Sequence, residues 1–304
     1  MRRLEQALIN KVVIGTWPLS GDYAKVDLET VQRTLDHCYD AGFKTFDTAP
    51  SYGNGFIEFC LGKVLGHKDD AVINTKVGNA PFTGKCFDVS EMKESFEQSL
   101  SRLSRDSVNI LFLHNPRNDV RDYEGVLGFF EALKREGRIK RTGISLAKNY
   151  EYSKDILSEF DVVQDDGNLL SMRFLRLNLP ENTQFMARSP LASGLLSGKI
   201  GRDSVFPSDD HRSGWLKGGK LNSIMKMVDM IRKTDDHDIS ELAKRFVLSS
   251  DKIDKAIFGV KLPEHVDDIV KDVRAPVLDK EVEEKLIALY NNDFGLIGDE
   301  FLPY

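Results

Sequence analysis

Cysteine is scarce in this chain: only Cys38, Cys60 and Cys86 among 304 residues. Three scattered thiols are too few for a disulfide framework or a thiolate metal site, so no metal is expected, and an odd count suits a reducing compartment. Long apolar runs are missing as well. No window approaches the roughly 18 uninterrupted apolar residues of a membrane span, so no membrane partner is expected. After Arg2 and Arg3, the polar Glu5, Asn10 and Lys11 break up the apolar stretch, so no secretion signal is read there and the expected location is cytoplasmic. Basic excess is also lacking. Forty-two Lys and Arg face 48 Asp and Glu, leaving a net charge of −6, with no basic run to track a phosphate backbone, so nucleic acid is not an expected partner.

What the chain does contain is alternation. Hydrophobic residues make up 41% of it, and short apolar, β-branched runs recur at Val12 to Ile14, Thr45 to Asp47, Ala71 to Thr75, Val108 to Leu113, Thr142 to Ser145, Val162 to Gln164, Gln184 to Ala187 and Ala256 to Val260. Several are apolar at consecutive positions, as strands buried on both faces should be. Helical patterns lie between them. One has Asp27 as N-cap, a Leu28, Val31, Leu35, Cys38 stripe and Gly42 as its stop; another takes Ser90 as N-cap; a third runs from about Glu124 to Glu136 and stops at Gly137. Eight strand signals alternating with helices predict a (β/α)8 TIM barrel rather than a doubly wound sheet, because no G-x-G-x-x-G turn follows the first strand. The extra length is assigned to an N-terminal extension before Val12, a long loop after the seventh strand from about Gly194 to Lys220, and a helix and tail after Val277. No linker divides the chain, so residues 1–304 read as one domain.

Active sites of such barrels sit at the C-terminal ends of the strands. Four titratable residues stand there: Asp47 ends the second strand, Tyr52 follows in the next loop, Lys76 ends the third strand and His114 the fourth. Each alone has an ordinary structural explanation, as a cap, a packing residue, a solvated cation or a structural imidazole. Together at one mouth they form a proton-transfer unit. A free Tyr has a pKa near 10. A Lys ammonium about 4 Å from the phenol oxygen would interact with the phenolate by roughly 4 kcal/mol, enough to depress that pKa by ~2 to 3 units. Asp47 would keep Lys76 charged, and His114 would orient a carbonyl oxygen. The missing component is a hydride source, which a nicotinamide cofactor supplies.

With these motifs the sequence resembles the aldo-keto reductases. The resemblance covers nearly the whole chain: Gly15-Thr16-Trp17, Asp47 to Gly53, Asn74-Thr75-Lys76, Leu111-Phe112-Leu113-His114, Gly143-Ile144-Ser145 and Ser189-Pro190-Leu191-Ala192-Ser193-Gly194-Leu195-Leu196. It implies NADPH-dependent reduction of an aldehyde or ketone, with Asp47, Tyr52, Lys76 and His114 as tetrad and Tyr52 as general acid. By the same resemblance Ser145 and Gln164 hold the nicotinamide carboxamide. Arg188, Ser189, Leu191 and Ser193 cover the ring and bind the pyrophosphate, and the segment from Gly259 to His265 grips the adenosine ribose and its 2′-phosphate. Departures accompany the matches. Leu146 stands where an Asn usually follows the Ser, removing one bond to the carboxamide. Arg188 replaces a stacking aromatic, although a guanidinium also stacks on a flat ring. In the phosphate loop only Lys261 and His265 offer positive charge, so NADPH is expected ahead of NADH. Trp17, Tyr23, Phe82, Asn115 and Arg117 are read as substrate-pocket walls. Asp209-Asp210-His211-Arg212 in the long loop reads as solvated first and as a lid second. The small-molecule carbonyl substrate is expected to be polar, a sugar or another metabolite. The apolar tail with Phe294, Leu296, Phe301 and Tyr304 is expected over the barrel mouth or in a subunit contact. The alternatives are a cofactor-holding regulatory or sensor subunit of the same fold with little turnover, and a Schiff-base aldolase using Lys76.

Overall fold

The computed structural model describes residues 2–217, 219–296 and 304, with the side chains of residues 2–5 outside that description. Eight parallel strands, β1 (Val12–Gly15), β2 (Thr45–Asp47), β3 (Val72–Val77), β4 (Val108–His114), β5 (Ile139–Ser145), β6 (Val162–Asp166), β7 (Gln184–Arg188) and β8 (Lys255–Gly259), close into a barrel in which each pairs with its chain neighbours and β8 returns to β1. The two faces of each strand bury different sets. Val13, Ile110, Phe112, Val162, Met186 and Ile257 fill the interior, while Ile14, Phe46, Leu111, Leu113, Ile144 and Val163 join the larger core under the helices. Burial on both sides explains the near-continuous apolar runs.

The strand ends differ instructively from the sequence reading. β6 continues through Asp165 and Asp166, which look like turn residues but are 1% and 4% exposed; Arg173 and Arg188 pair with them, so the backbone can stay in the sheet. β3 runs one residue past Lys76 to Val77. The helix Leu28–Asp40 has Asp27 as its cap, and Gly42 behind it takes φ +95°. The next expectation needs correction. Helix Val89–Leu103 is capped not by Ser90 but by Asp88, whose carboxylate accepts from the backbone N–H groups of Ser90 at 2.8 Å and Glu91 at 3.4 Å. A carboxylate there also meets the positive end of the helix dipole. Asp88→Ala is therefore expected to lower the thermal midpoint by about 2 °C, and Ser90→Ala to leave it in place, by differential scanning calorimetry.

The segment before β1 is the helix Arg2–Lys11. Lys11 Nζ donates to the carbonyls of Leu248 and Ser250 at 2.9 and 2.8 Å, tying it to the N-terminal face of the barrel. The long loop after β7 crosses the opposite face: His211 N–H donates to the Asp22 carbonyl at 2.8 Å and Tyr23 pairs with Asp210. After the helix Lys280–Asn291 the chain buries Phe294. Phe301 lies outside the described residues. Tyr304 is back at the mouth, 5.9 Å from the Trp215 ring and 3.8 Å beneath Lys148 Nζ, so the reading of a tail over the mouth holds for this residue. No described helix is long and apolar enough to cross a membrane.

Candidate active site

Strand register brings the expected residues to one end. Gly15 pairs with Asp47, Asp47 with Asn74, His114 with Ser145, and Ser145 with Gln164. Asp47, His114 and Ser145 are the last positions of their strands and Gln164 lies two short of its strand's end, so these side chains share the C-terminal mouth. Lys76 Nζ lies 2.5 Å from Asp47 Oδ1 and 2.7 Å from the Thr48 carbonyl, and the two charged side chains are 1% and 4% exposed. Lys76 Nζ also stands 5.1 Å from the Tyr52 ring centre, where its charge opposes the effect of burial on the hydroxyl. The His114 ring faces Tyr52 edge-on at 6.2 Å. Its Nδ1 is buried, with no partner among the described residues.

The protonation states follow from burial and charge. Burial works against the Lys76 ammonium, but Asp47 and Tyr52 hold its pKa above the ordinary lysine value. A lysine so firmly protonated is a poor imine-forming nucleophile, which counts against the aldolase alternative. Burial, with the Lys76 and Arg188 charges, pushes His114 well below its ordinary value, so it acts as a neutral imidazole. The expected depression of the Tyr52 pKa is corrected. Burial raises it, Lys76 pulls it down and Asp47 partly cancels that pull, with a net upward direction. Tyr52 thus keeps its proton at neutral pH, which is what an acid needs before it can donate.

A groove of about 610 Å³ runs from this cluster across the barrel mouth, inside the roughly 300–1,000 Å³ range of cofactor and ligand pockets. Gly15, Thr16, Trp17, Gln164, Arg188, Ser189, Leu191, Ser193, Gly259, Lys261 and His265 line it with Asp47 and Tyr52. Lys76, His114 and Ser145 lie behind its wall. A nicotinamide dinucleotide fits these residues. Gly15 has no room for a Cβ, which would lie 2.7 Å from Ile257 Cγ2. Ser189, Ala192, Ser193 and Gly194 all take positive φ, in tight turns whose Ala192 and Gly194 N–H groups donate to the Ser189 and Leu191 carbonyls at 2.8 and 2.9 Å.

Several expectations change in detail. Arg188 is not a free stacking plate: its guanidinium bonds Asp166, Asn115, Ser145 and the Leu146 carbonyl at 2.8–3.1 Å. His265 accepts the Lys261 N–H through Nδ1 at 3.2 Å, and burial lowers its pKa, so it brings no charge to the phosphate loop near neutrality. Lys261 Nζ reaches the Tyr23 carbonyl at 2.7 Å. Of the expected pocket walls, Trp17 and Tyr23 line the groove, whereas Phe82 is 89% exposed and Arg117 donates to the Lys148 carbonyl at 3.0 Å. The loop reading changes in part. Asp209 and His211 are exposed, but Asp210 is 4% exposed, Arg212 binds it through Nε and Nη2 at 2.9 and 2.6 Å, and Arg212 lines the groove, so this pair packs over the groove instead of standing in solvent. Lys199 and Lys244 also line the groove and were not anticipated. Their only sequence signal was position near the long loop and the Asp238 cap of the helix Ile239–Ser249.

The Aldo/keto reductase family model matches residues 11–291. Aldo-keto reductase YhdN of Bacillus subtilis is 24% identical over 315 residues, covering 96% of this chain and 94% of its own length. A putative voltage-gated potassium channel subunit beta of Schizosaccharomyces pombe is 26% identical, covering 90% and 88%. The structure of a glycerol dehydrogenase from Gluconobacter oxydans superposes with a TM-score of 0.79 at 25% identity, covering 96% of this chain and 95% of that one. The chain belongs to the aldo/keto reductase family, NAD(P)H-dependent oxidoreductases of carbonyl compounds.

Proposed function

We propose that this protein uses NADPH to reduce the aldehyde or ketone of a small polar metabolite, a sugar among the candidates, to an alcohol, with Tyr52 as general acid. The observation that carries the reading is the buried Lys76 ammonium bound to the Asp47 carboxylate and standing 5.1 Å from the Tyr52 ring centre. A bound nicotinamide supplies the hydride. The Tyr52 hydroxyl donates its proton to the carbonyl oxygen, and Lys76 stabilises the phenolate left behind. Asp47 keeps Lys76 charged and oriented, and the neutral His114 donates a hydrogen bond that aims the carbonyl. Gln164, with Ser145 behind it, offers the polar edge for the carboxamide. The Asp210–Arg212 pair limits water at the groove. The solved relative named a glycerol dehydrogenase supports a polar substrate.

The test is titration with NADPH and NADH, followed by quenching of Trp17 and Trp215 fluorescence, together with multiple-turnover assays on aldoses, hydroxyaldehydes and aromatic aldehydes. NADPH is expected to bind more tightly, and turnover to favour the polar compounds. Lys261→Ala is expected to weaken NADPH binding about tenfold, the loss of one partly solvated charge-assisted hydrogen bond, and to leave NADH binding unchanged. Equal loss for both cofactors would remove Lys261 from the 2′-phosphate site. The likeness to a channel subunit beta supports a second reading, a cofactor-holding regulatory subunit. Bound NADPH consumed once, with no multiple turnover on any carbonyl, would favour it.

A further inference from the structure

Where the family resemblance leads one to expect an aromatic ring, β7 ends in a guanidinium whose side chain is 18% exposed. Its Nε donates to Asp166 Oδ1 at 2.9 Å, Nη1 to Asn115 Oδ1 at 3.1 Å and Ser145 Oγ at 3.0 Å, and Nη2 to the Leu146 carbonyl at 2.8 Å. Ser145 in turn donates to Gln164 Oε1 at 2.8 Å, Gln164 Nε2 donates to Asp47 Oδ2 at 3.1 Å, and Asp47 Oδ1 holds Lys76 at 2.5 Å. One unbroken chain of donors and acceptors therefore crosses five strands, from Arg188 to the lysine beside Tyr52.

Resting on the reading of Tyr52 as the acid, we infer that Arg188 is a positioning residue for proton transfer: it fixes the chain that orients Asp47 and Lys76, and it sets a second, partly buried cation on the groove that Tyr52 lines. The bland alternative is that Arg188 merely neutralises the carboxylates of β6. Those carboxylates have other partners. Asp165 is bound by Arg173 through two bonds of 2.8 Å, and Asp166 is also paired with Lys148 at 3.2 Å. Meanwhile Arg188 and Tyr52 line the same groove, and the guanidinium pulls the phenol's pKa down against its burial.

The charged and titratable groups facing Tyr52 are Asp47 from β2, Lys76 from β3, His114 from β4 and Arg188 from β7. Behind Arg188 stand Asp165 and Asp166 with Arg173 and Lys148, and Tyr304 packs under Lys148. Lys85 lies near enough to His114 to act on it. His114 is already neutral well below the alkaline range. A phenol active as an acid loses activity as pH rises through its pKa, so removing a nearby cation raises that pKa and carries the alkaline limb of kcat/KM upward.

The experiment is the pH profile of kcat/KM for carbonyl reduction by the wild type and three variants. Arg188→Met is expected to move the alkaline limb up by about one pH unit. Arg188→Lys keeps the charge but not the fork, and is expected to lower the rate while leaving the limb in place. Asp166→Asn leaves Arg188 less compensated and is expected to move the limb down by about half a unit, an opposite sign that tests the inference even if Arg188→Met folds poorly. The absorbance titration of Tyr52 without substrate, obtained by subtracting that of Tyr52→Phe, should shift in the same directions. Lowered rates at every pH with limbs and titrations unmoved would overturn the inference and leave Arg188 a structural residue. Wild-type rates in Tyr52→Phe would instead overturn the acid reading beneath it.

Discussion

Tyr52→Phe is expected to lower turnover by about a hundred- to ten-thousand-fold, the usual contribution of a positioned general acid, while leaving cofactor affinity and stability close to wild type. The substitution keeps the ring and removes the hydroxyl alone. The phenyl ring preserves the edge-on contact with His114 at 6.2 Å and the approach to Trp17 at 6.5 Å, so the groove keeps its shape. What is lost is a hydroxyl that burial would rather keep protonated and that Lys76 makes able to release its proton. Without it no other described side chain of the cluster is suited to the step: His114 is neutral, and Lys76 is bound to Asp47 and the Thr48 carbonyl. Steady-state kinetics with NADPH and an aldehyde, beside NADPH titration of the same protein, checks both halves. Near wild-type reduction would remove Tyr52 from its role; a large rise in the NADPH dissociation constant would mean that the hydroxyl serves binding instead.

The barrel was legible because its strands are buried on both faces, which writes apolar runs such as Leu111-Phe112-Leu113 directly into the sequence. The tetrad was legible for a related reason. Asp47, Lys76 and His114 each sit at the polar end of such a run, and parallel register then forces them into one mouth. Less visible was everything set by pairing between residues far apart in the chain. Asp165-Asp166 looks like a turn until Arg173 and Arg188 arrive from neighbouring segments, and Asp210 with Arg212 looks solvated until the loop after β1 packs upon them. The direction of the Tyr52 shift is hidden from the sequence for the same reason. The sequence announces the nearby cation, but the depth of burial and the opposing charge of Asp47 exist only in the folded barrel.

The Asp47–Lys76 pair separates what the site needs to fold from what it needs to react. Lys76→Met leaves a carboxylate whose side chain is 4% exposed without its cation, with Gln164 Nε2 at 3.1 Å on Oδ2 as its remaining side-chain partner among the described residues. Breaking a buried pair from one side costs about 3–5 kcal/mol. Adding Asp47→Asn removes the uncompensated charge and keeps an acceptor for Gln164, so the double variant is expected to regain most of that loss in urea unfolding at pH 7. Lys76 holds its proton more tightly folded than unfolded, so its contribution is fully present below about pH 10 and is lost only as pH rises through the elevated pKa. The neutral-pH comparison therefore measures all of it. Reduction activity should not follow stability back: with no ammonium beside Tyr52, the phenolate formed in the step has lost its main counter-charge, and the double variant should be as inactive as Lys76→Met. A single variant as stable as wild type would mean that water reaches Asp47. A double variant that recovers turnover along with stability would mean that the lysine supports the fold alone and that the proton leaves Tyr52 without its help.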